Sequence, residues 1–242
     1  MDRHRVESPT GVFEKTTLSN GIRVISERFP AVRSISLGVW IDVGSRYESD
    51  KMAGVCHFIE HMVFKGTKRR SARELASALE SVGGSLNGFT TREQTCYTAR
   101  VTDEFLPEAL DVLSDMTGHA AFRRSDMTKE KQVISEEIKE SIDNPSDYIH
   151  DLFQMTYWGR HPLGRPIMGT QQTIGALKHA DMLDFIREHY RTGNVVVSAA
   201  GAVSHRELVK LVEKKFKFAP GKAPDAARLI APTGTRSTIQ NN

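Results

Sequence analysis

The sequence predicts an α+β fold in which a mixed, largely antiparallel sheet is covered by helices. Short apolar runs of period two recur through the N-terminal part of the chain, and helical patterns of unequal length lie between and after them. No fixed-period repeat is present, and no phosphate-binding glycine motif follows a strand, which disfavours a doubly wound nucleotide fold.

Phe13 to Thr17 and Ile22 to Arg28 flank Ser19-Asn20-Gly21, a tight-turn sequence, and read as a hairpin. Ser34 to Val43 places Ile35, Leu37, Val39, Ile41 and Val43 at alternate positions, so this strand buries one face, and Gly44-Ser45 ends it. Gly54 to Phe64 is apolar nearly all round, the mark of a buried helix. Ser71 with Glu74 three residues on is a capping box that opens a second helix, which Gly83-Gly84 stops. Strands are expected at Ser85 to Thr90 and Thr95 to Val101. Helices follow from about Asp103 to His119 and from Ser125 to Ile142, the second ended by Asp143-Asn144-Pro145.

Ser146 or Asp147 can cap a further helix to Trp158, after which Gly159 to Gly169, rich in Gly and Pro, reads as loop. A helix near His179 to Tyr190, a strand from Val195 to Ala200 and a helix from Ser204 to Phe216 complete a domain expected to span 1–219. From Pro220 the composition turns to Pro, Gly, Ala, Thr and Asn without period, so 220–242 reads as a linker or tail.

With 242 residues, 39% of them hydrophobic and 26% charged, the chain is long enough to fold around its own core. Its charge of +3 is the difference between 33 basic and 30 acidic residues. The basic ones are scattered apart from Lys68-Arg69-Arg70 and Lys214-Lys215, so no nucleic-acid partner is expected. Val195 to Val203, the longest apolar run, is too short to span a bilayer, and no apolar stretch follows Met1 to Glu7 as a secretory signal requires. No membrane partner is expected. Cys56 and Cys96 form neither a C-x-x-C pair nor a disulfide framework, which fits a reducing compartment and a cytoplasmic location.

His57-Phe58-Ile59-Glu60-His61 lies in the apolar helix. At about 100° per residue, His57, Glu60 and His61 fall at roughly 0°, −60° and 40°, a narrow polar stripe on which two imidazoles one turn apart can share a metal. A hydrolytic zinc site takes three protein ligands and leaves a fourth position for water, so a third ligand must come from elsewhere. On the Ser125 to Ile142 helix, with Glu130 at 0°, the apolar Val133, Ile134, Ile138 and Ile142 lie at about −60°, 40°, 80° and 120°, and Glu137 at about −20°. Glu130 and Glu137 thus fall inside the apolar arc, while Glu136 and Glu140 lie outside it. Unpaired carboxylates in an apolar setting cost several kcal/mol, so a cation explains the pair better than chance. We read Glu137 as the third ligand, Glu130 as the carboxylate that orients a ligand, and Glu60 as general base.

These residues resemble the zinc peptidases that include pitrilysin, insulin-degrading enzyme and mitochondrial processing peptidase, whose inverted His-x-x-Glu-His signature they carry. The resemblance runs from Leu18-Ser19-Asn20-Gly21 through Gly54-Val55-Cys56-His57-Phe58-Ile59-Glu60-His61-Met62 and Phe64-Lys65-Gly66-Thr67 to His161-Pro162-Leu163-Gly164. The spacing of Glu137 from His61 and from Glu130 also matches. It implies the N-terminal catalytic half of such an enzyme: an endopeptidase acting on extended or unfolded peptides, with one Zn2+ per chain. It also implies that Asn87, Gly88, Phe89 and Thr90 form a strand that pairs with substrate by β-augmentation. Members of the family close two related halves around a chamber. The expected partners are therefore a peptide and a second homologous half, in the same longer chain or as a separate subunit, which would make a dimer.

Two other readings compete. A scaffold or regulatory subunit would keep the fold without the chemistry, although such members lose part of a motif that is complete here. S-ribosylhomocysteine lyase shares the signature but uses a cysteine as third ligand, a role open only to Cys56 or Cys96. Both read better as small buried hydrophobes.

Overall fold

The computed structural model describes residues 2–8 and 11–222. Seven strands build one sheet: β1 Asp2–Ser8, β2 Gly11–Thr17, β3 Arg23–Arg28, β4 Ser34–Ile41, β5 Ser85–Thr90, β6 Thr95–Thr102 and β7 Val195–Gly201, in the order β1-β2-β3-β7-β4-β6-β5. Every pairing is antiparallel except β3 with β7, so the sheet is mixed and largely antiparallel as expected. β7 enters the centre late in the chain, its Val195, Val197 and Ala199 facing Ile41, Val39 and Leu37 of β4.

Alternation divides the sheet into two faces. Val24, Ile35, Leu37, Val39, Ile41, Tyr97 and Val197 lie on one and are buried beneath the helices, whereas Phe13, Ile25 and Phe89 on the other are exposed. The helices are α1 Val55–Val63, α2 Ala72–Glu80, α3 Leu106–His119, α4 Arg124–Asp143, α5 Pro145–Trp158, α6 Gln171–Ala176, α7 His179–His189 and α8 His205–Lys215. Of these α1 and α2 lie against β5, α3 against β6 and α8 against β3, while α4 packs on α1. No helix among the described residues is long and apolar enough to cross a membrane.

Several local expectations hold. The Ser71 hydroxyl accepts from the Glu74 N–H while the Glu74 carboxylate accepts from the Ser71 N–H, closing the box at the start of α2. The β2–β3 turn is held by the Leu18 N–H on the Ile22 carbonyl at 2.9 Å, with Gly21 at φ 99°, a conformation that favours glycine.

Other expectations need correction. Asn144, not Ser146 or Asp147, caps α5: its side chain accepts from the Ser146 N–H, and Pro145 takes the first helical position, where its missing N–H costs nothing. Two elements were not foreseen. β1 is rich in charged residues and shows no apolar alternation, and α6 is a six-residue helix opened by Thr170. The helical wheel of α4 was also too wide: Ile134 and Ile138 are buried, but Val133 and Ile142 are exposed, because the helix rests on a narrow stripe through Met127, Glu130, Ile134 and Ile138. Of the tail read as linker, 223–242 lies outside the described residues; just before it, the Ala219 and Gly221 carbonyls accept from Thr192 and Gly193.

Candidate metal centre

Helix α1 has only nine residues, and Val55, Cys56, Phe58, Ile59, Met62 and Val63 are buried. Full burial of a large apolar side chain contributes roughly 1.5–3 kcal/mol, so this helix is held in place by its packing. Its remaining side chains, His57, Glu60 and His61, are only partly buried and face α4 and β5.

The His57, His61 and Glu137 ligand atoms all lie within 4.8 Å of one another, the one such cluster among the described residues. His61 Nε2 is 3.5 Å from Glu137 Oε2, and the His57 and His61 ring centres are 4.6 Å apart. His61 Nδ1 donates to Glu130 Oε2 at 3.1 Å, which turns Nε2 toward Glu137. Lys65 neutralises the other Glu130 oxygen at 2.8 Å. Glu130 is thus buried and doubly paired, whereas the Glu137 side chain is 37% exposed. The expectation that both carboxylates are buried holds for Glu130 alone, because the buried stripe of α4 runs through Met127, Glu130, Ile134 and Ile138 and leaves Glu137 beside it.

Burial, then the neighbouring His61, pulls the His57 imidazole down to about 4, so it is neutral with a free lone pair near pH 7. Its Nδ1 is buried without a hydrogen-bond partner. Two imidazoles and a carboxylate, one ring fixed by a carboxylate behind it and the other left with an unsatisfied nitrogen, suit a divalent ion such as zinc.

Glu60 stands beside this cluster, its Oε2 accepting from Thr90 Oγ1 at 2.5 Å. Burial raises its carboxyl above the ordinary range; the Thr90 hydrogen bond and His61 oppose the shift, and Glu137 adds to it. Glu60 and His57 line a cleft of about 360 Å³ with Gly88, Phe89, Thr90, Asp151, Ile167 and Met168. Gly88 permits this closeness: a Cβ there would stand 3.0 Å from the Phe64 ring and 3.3 Å from Glu60 Cγ.

The four β5 residues singled out from the sequence all lie in the strand, with their side chains divided between its two faces. Alternation turns Gly88 and Thr90 toward α1, whereas Asn87 and Phe89 point to the open face, where Phe89 meets Trp40 edge-on at 5.7 Å. What the strand does offer is an edge, since among the described residues β5 pairs with β6 alone. Cys96 lies opposite Phe89 and Trp40 in the register, on the face away from α1, which removes it as a ligand. Cys56 is in α1 but wholly buried, its thiol pushed well up by burial.

Sequence reasoning missed Glu48. It is 4% exposed, and its two oxygens accept from the Gly54 and Cys56 N–H groups, each at 2.8 Å, at the start of α1. Burial pushes its carboxyl up to about 7 against the pull of those donors and of Arg165. The only sequence signal was an acidic residue six positions before the N-cap Gly54, too far for an ordinary cap.

A helix bearing two histidines and a glutamate, and a second helix presenting a carboxylate to them, form a cluster able to hold a metal ion beside one edge strand of the sheet. A family profile described as Insulinase (Peptidase family M16) matches residues 23–171, and one described as Peptidase M16 inactive domain matches 176–241. The chain belongs to the M16 family of zinc proteases. It is 42% identical over 234 residues to an uncharacterized zinc protease of Streptomyces coelicolor, covering 97% of this chain and 51% of that one. With an uncharacterized zinc protease of Bacillus subtilis it shares 44% over 214 residues, covering 88% and 52%. A probable mitochondrial-processing peptidase subunit beta of Arabidopsis thaliana is 40% identical over 216 residues, covering 89% and 41%. The crystal structure of a protease from Helicobacter pylori superposes with a TM-score of 0.82 at 26% identity, covering 94% of this chain and 55% of that one. The chain therefore spans about half the length of the relatives it matches. β7, in the centre of the sheet, falls within the stretch matched by the second profile, so the two matched stretches share one sheet.

Proposed function

We propose that this chain is the zinc-binding half of an endopeptidase that hydrolyses extended peptides, with His57, His61 and Glu137 as ligands of one zinc ion and Glu60 as general base. The carrying observation is the three-ligand cluster with Glu60 beside it, next to a sheet edge that has no partner strand among the described residues. When bound, zinc supplies a Lewis acid for the scissile carbonyl and lowers the pKa of water toward neutrality. Glu60, its carboxyl raised by burial, takes the water's proton and passes it to the leaving amine, and Thr90 holds it in orientation. Glu130 keeps His61 in the tautomer that offers Nε2.

An extended substrate adds to β5 as a further strand, so backbone hydrogen bonds supply most of the contacts and side-chain selectivity is loose. The length of the relatives supports a second homologous half that completes the chamber, in the same polypeptide or as a separate subunit. On this reading residues 1–219 form the catalytic domain and 220–242 lead toward that half. Plasma mass spectrometry of the purified chain tests the reading: near one zinc per chain, lost in Glu137→Gln, is expected. Folded protein that takes up no zinc overturns it.

A further inference from the structure

We infer that Glu48 is a positioning residue for the metal, setting the seat of helix α1 and through it the placement of His57, Glu60 and His61. This inference rests on the zinc reading above. α1 has no side-chain cap of its own: its N-cap is Gly54, at φ 94°, and its first turn is buried. The first N–H groups of a helix have no partner within it, and a buried donor left unpaired costs about 1–3 kcal/mol. Glu48 supplies two of the missing acceptors from outside the helix. One oxygen takes the Gly54 N–H and the other the Cys56 N–H, immediately before His57. Two bonds from one planar group fix the rotation of the first turn as well as its depth, and rotation decides where an imidazole on that turn points.

Glu48 is anchored in turn. Arg165 Nη1 donates to the Glu48 carbonyl at 2.6 Å, and its guanidinium also pairs with Asp50 at 2.9 Å. The loop carrying Arg165 is pressed against the start of α1: a Cβ on Gly54 would stand 2.4 Å from the Met168 carbonyl oxygen, and one on Gly169 would stand 2.2 Å from that of Ala53. Further back, Arg92 donates to the Leu163 carbonyl at 2.9 Å and to Asp151 at 3.2 Å, and Asp151 lines the cleft with His57 and Glu60. Loop, cap and metal helix are therefore one hydrogen-bonded unit, and Glu48 is its contact with the helix backbone.

Glu48→Gln separates positioning from packing. Glutamine has the same shape but one acceptor oxygen, so its NH2 group must face one of the two N–H donors. Competition titration of the full chain with a chromophoric chelator should show zinc bound 10–100-fold more weakly in Glu48→Gln, the scale for residues behind metal ligands. The visible bands of the cobalt-loaded variant should shift relative to the parent while its metal-free circular dichroism does not. Arg165→Met should move both readouts the same way by a smaller factor, and it decides the matter if Glu48→Gln fails to fold. Zinc affinity and cobalt spectrum equal to the parent's in the folded variant overturn the inference and leave the zinc reading standing. A parent chain that binds no zinc overturns both.

Discussion

At one edge of the sheet β1 carries Asp2, Arg3, His4, Arg5 and Glu7 among its seven residues; at the other, β5 reads Ser-Leu-Asn-Gly-Phe-Thr and has no ionisable side chain. Proteins blunt an exposed edge with charge because its unpaired N–H and C=O groups recruit foreign strands. An edge left without that protection is one that can be used. Two histidines show the same contrast. Near β1, His205 is satisfied on both nitrogens, by Thr16 and Ser26 at 2.8 Å each, so it is a structural histidine. Near β5, His57 has a buried nitrogen with no partner, and the carboxylates of Glu48, Glu60 and Glu130 crowd one helix. The lesson is that a histidine satisfied on both nitrogens marks stability, and one left unsatisfied in a cluster of ligand atoms beside an unguarded edge marks a candidate site.

The sharpest break in this contrast would come from Glu60→Gln. Zinc should be retained while peptide turnover by the completed enzyme falls by roughly two to four orders of magnitude, the usual scale for a general base. Turnover near the parent's would detach β5 from the chemistry.

Glu137→Gln should weaken zinc binding by roughly a hundredfold or more, beyond the usual cost of changing a residue behind the ligands. Glu136→Gln should be nearly silent, since Glu136 only pairs with Lys139 in solvent. Equal metal contents in the two variants would contradict the assignment of Glu137.

The buried charge of the β5 end should also be visible in the pH dependence of stability. Glu48 has a folded-state pKa of about 7 against an ordinary 4.5, so between these values the folded chain holds more protons than the unfolded one. Its contribution to stability therefore falls as pH rises through that window, by about 3 kcal/mol in all. Urea unfolding of metal-free parent and Glu48→Gln at pH 4.5 and 8 isolates this contribution from that of His57, which runs the opposite way. A parent-to-variant difference that is flat with pH would refute the buried charge.

Smallest is the effect at the strand itself. Gly88→Ala should push β5 off Phe64 and Glu60 and lower turnover on the order of tenfold through misplacement, with the fold intact. His4→Ala on β1 should change turnover less than twofold; a comparable loss there would erase the distinction between the edges.

Much of this was legible in the sequence, and the reason is local. The period-two run of β4, the capping box of α2 and the stripe of His57, Glu60 and His61 each arise within one or two turns of chain, where spacing alone decides geometry. That Glu130 needs a buried partner followed from a carboxylate on an apolar arc, but only the packing of α4 on α1 made that partner His61. By contrast β1 became a strand only because β2 offered it a ladder, since its charged residues carry no buried face. The parallel seat of β7 between β3 and β4, the exposure of Val133 and Ile142, the split of Asn87 and Phe89 from Gly88 and Thr90, and the Glu48 cap all depend on which surfaces meet. Local periodicity therefore determined the elements and the residues able to bind a metal. Long-range packing decided which edge stays open, which carboxylate is buried and what holds the metal helix in place, because those depend on contacts between residues far apart in the chain.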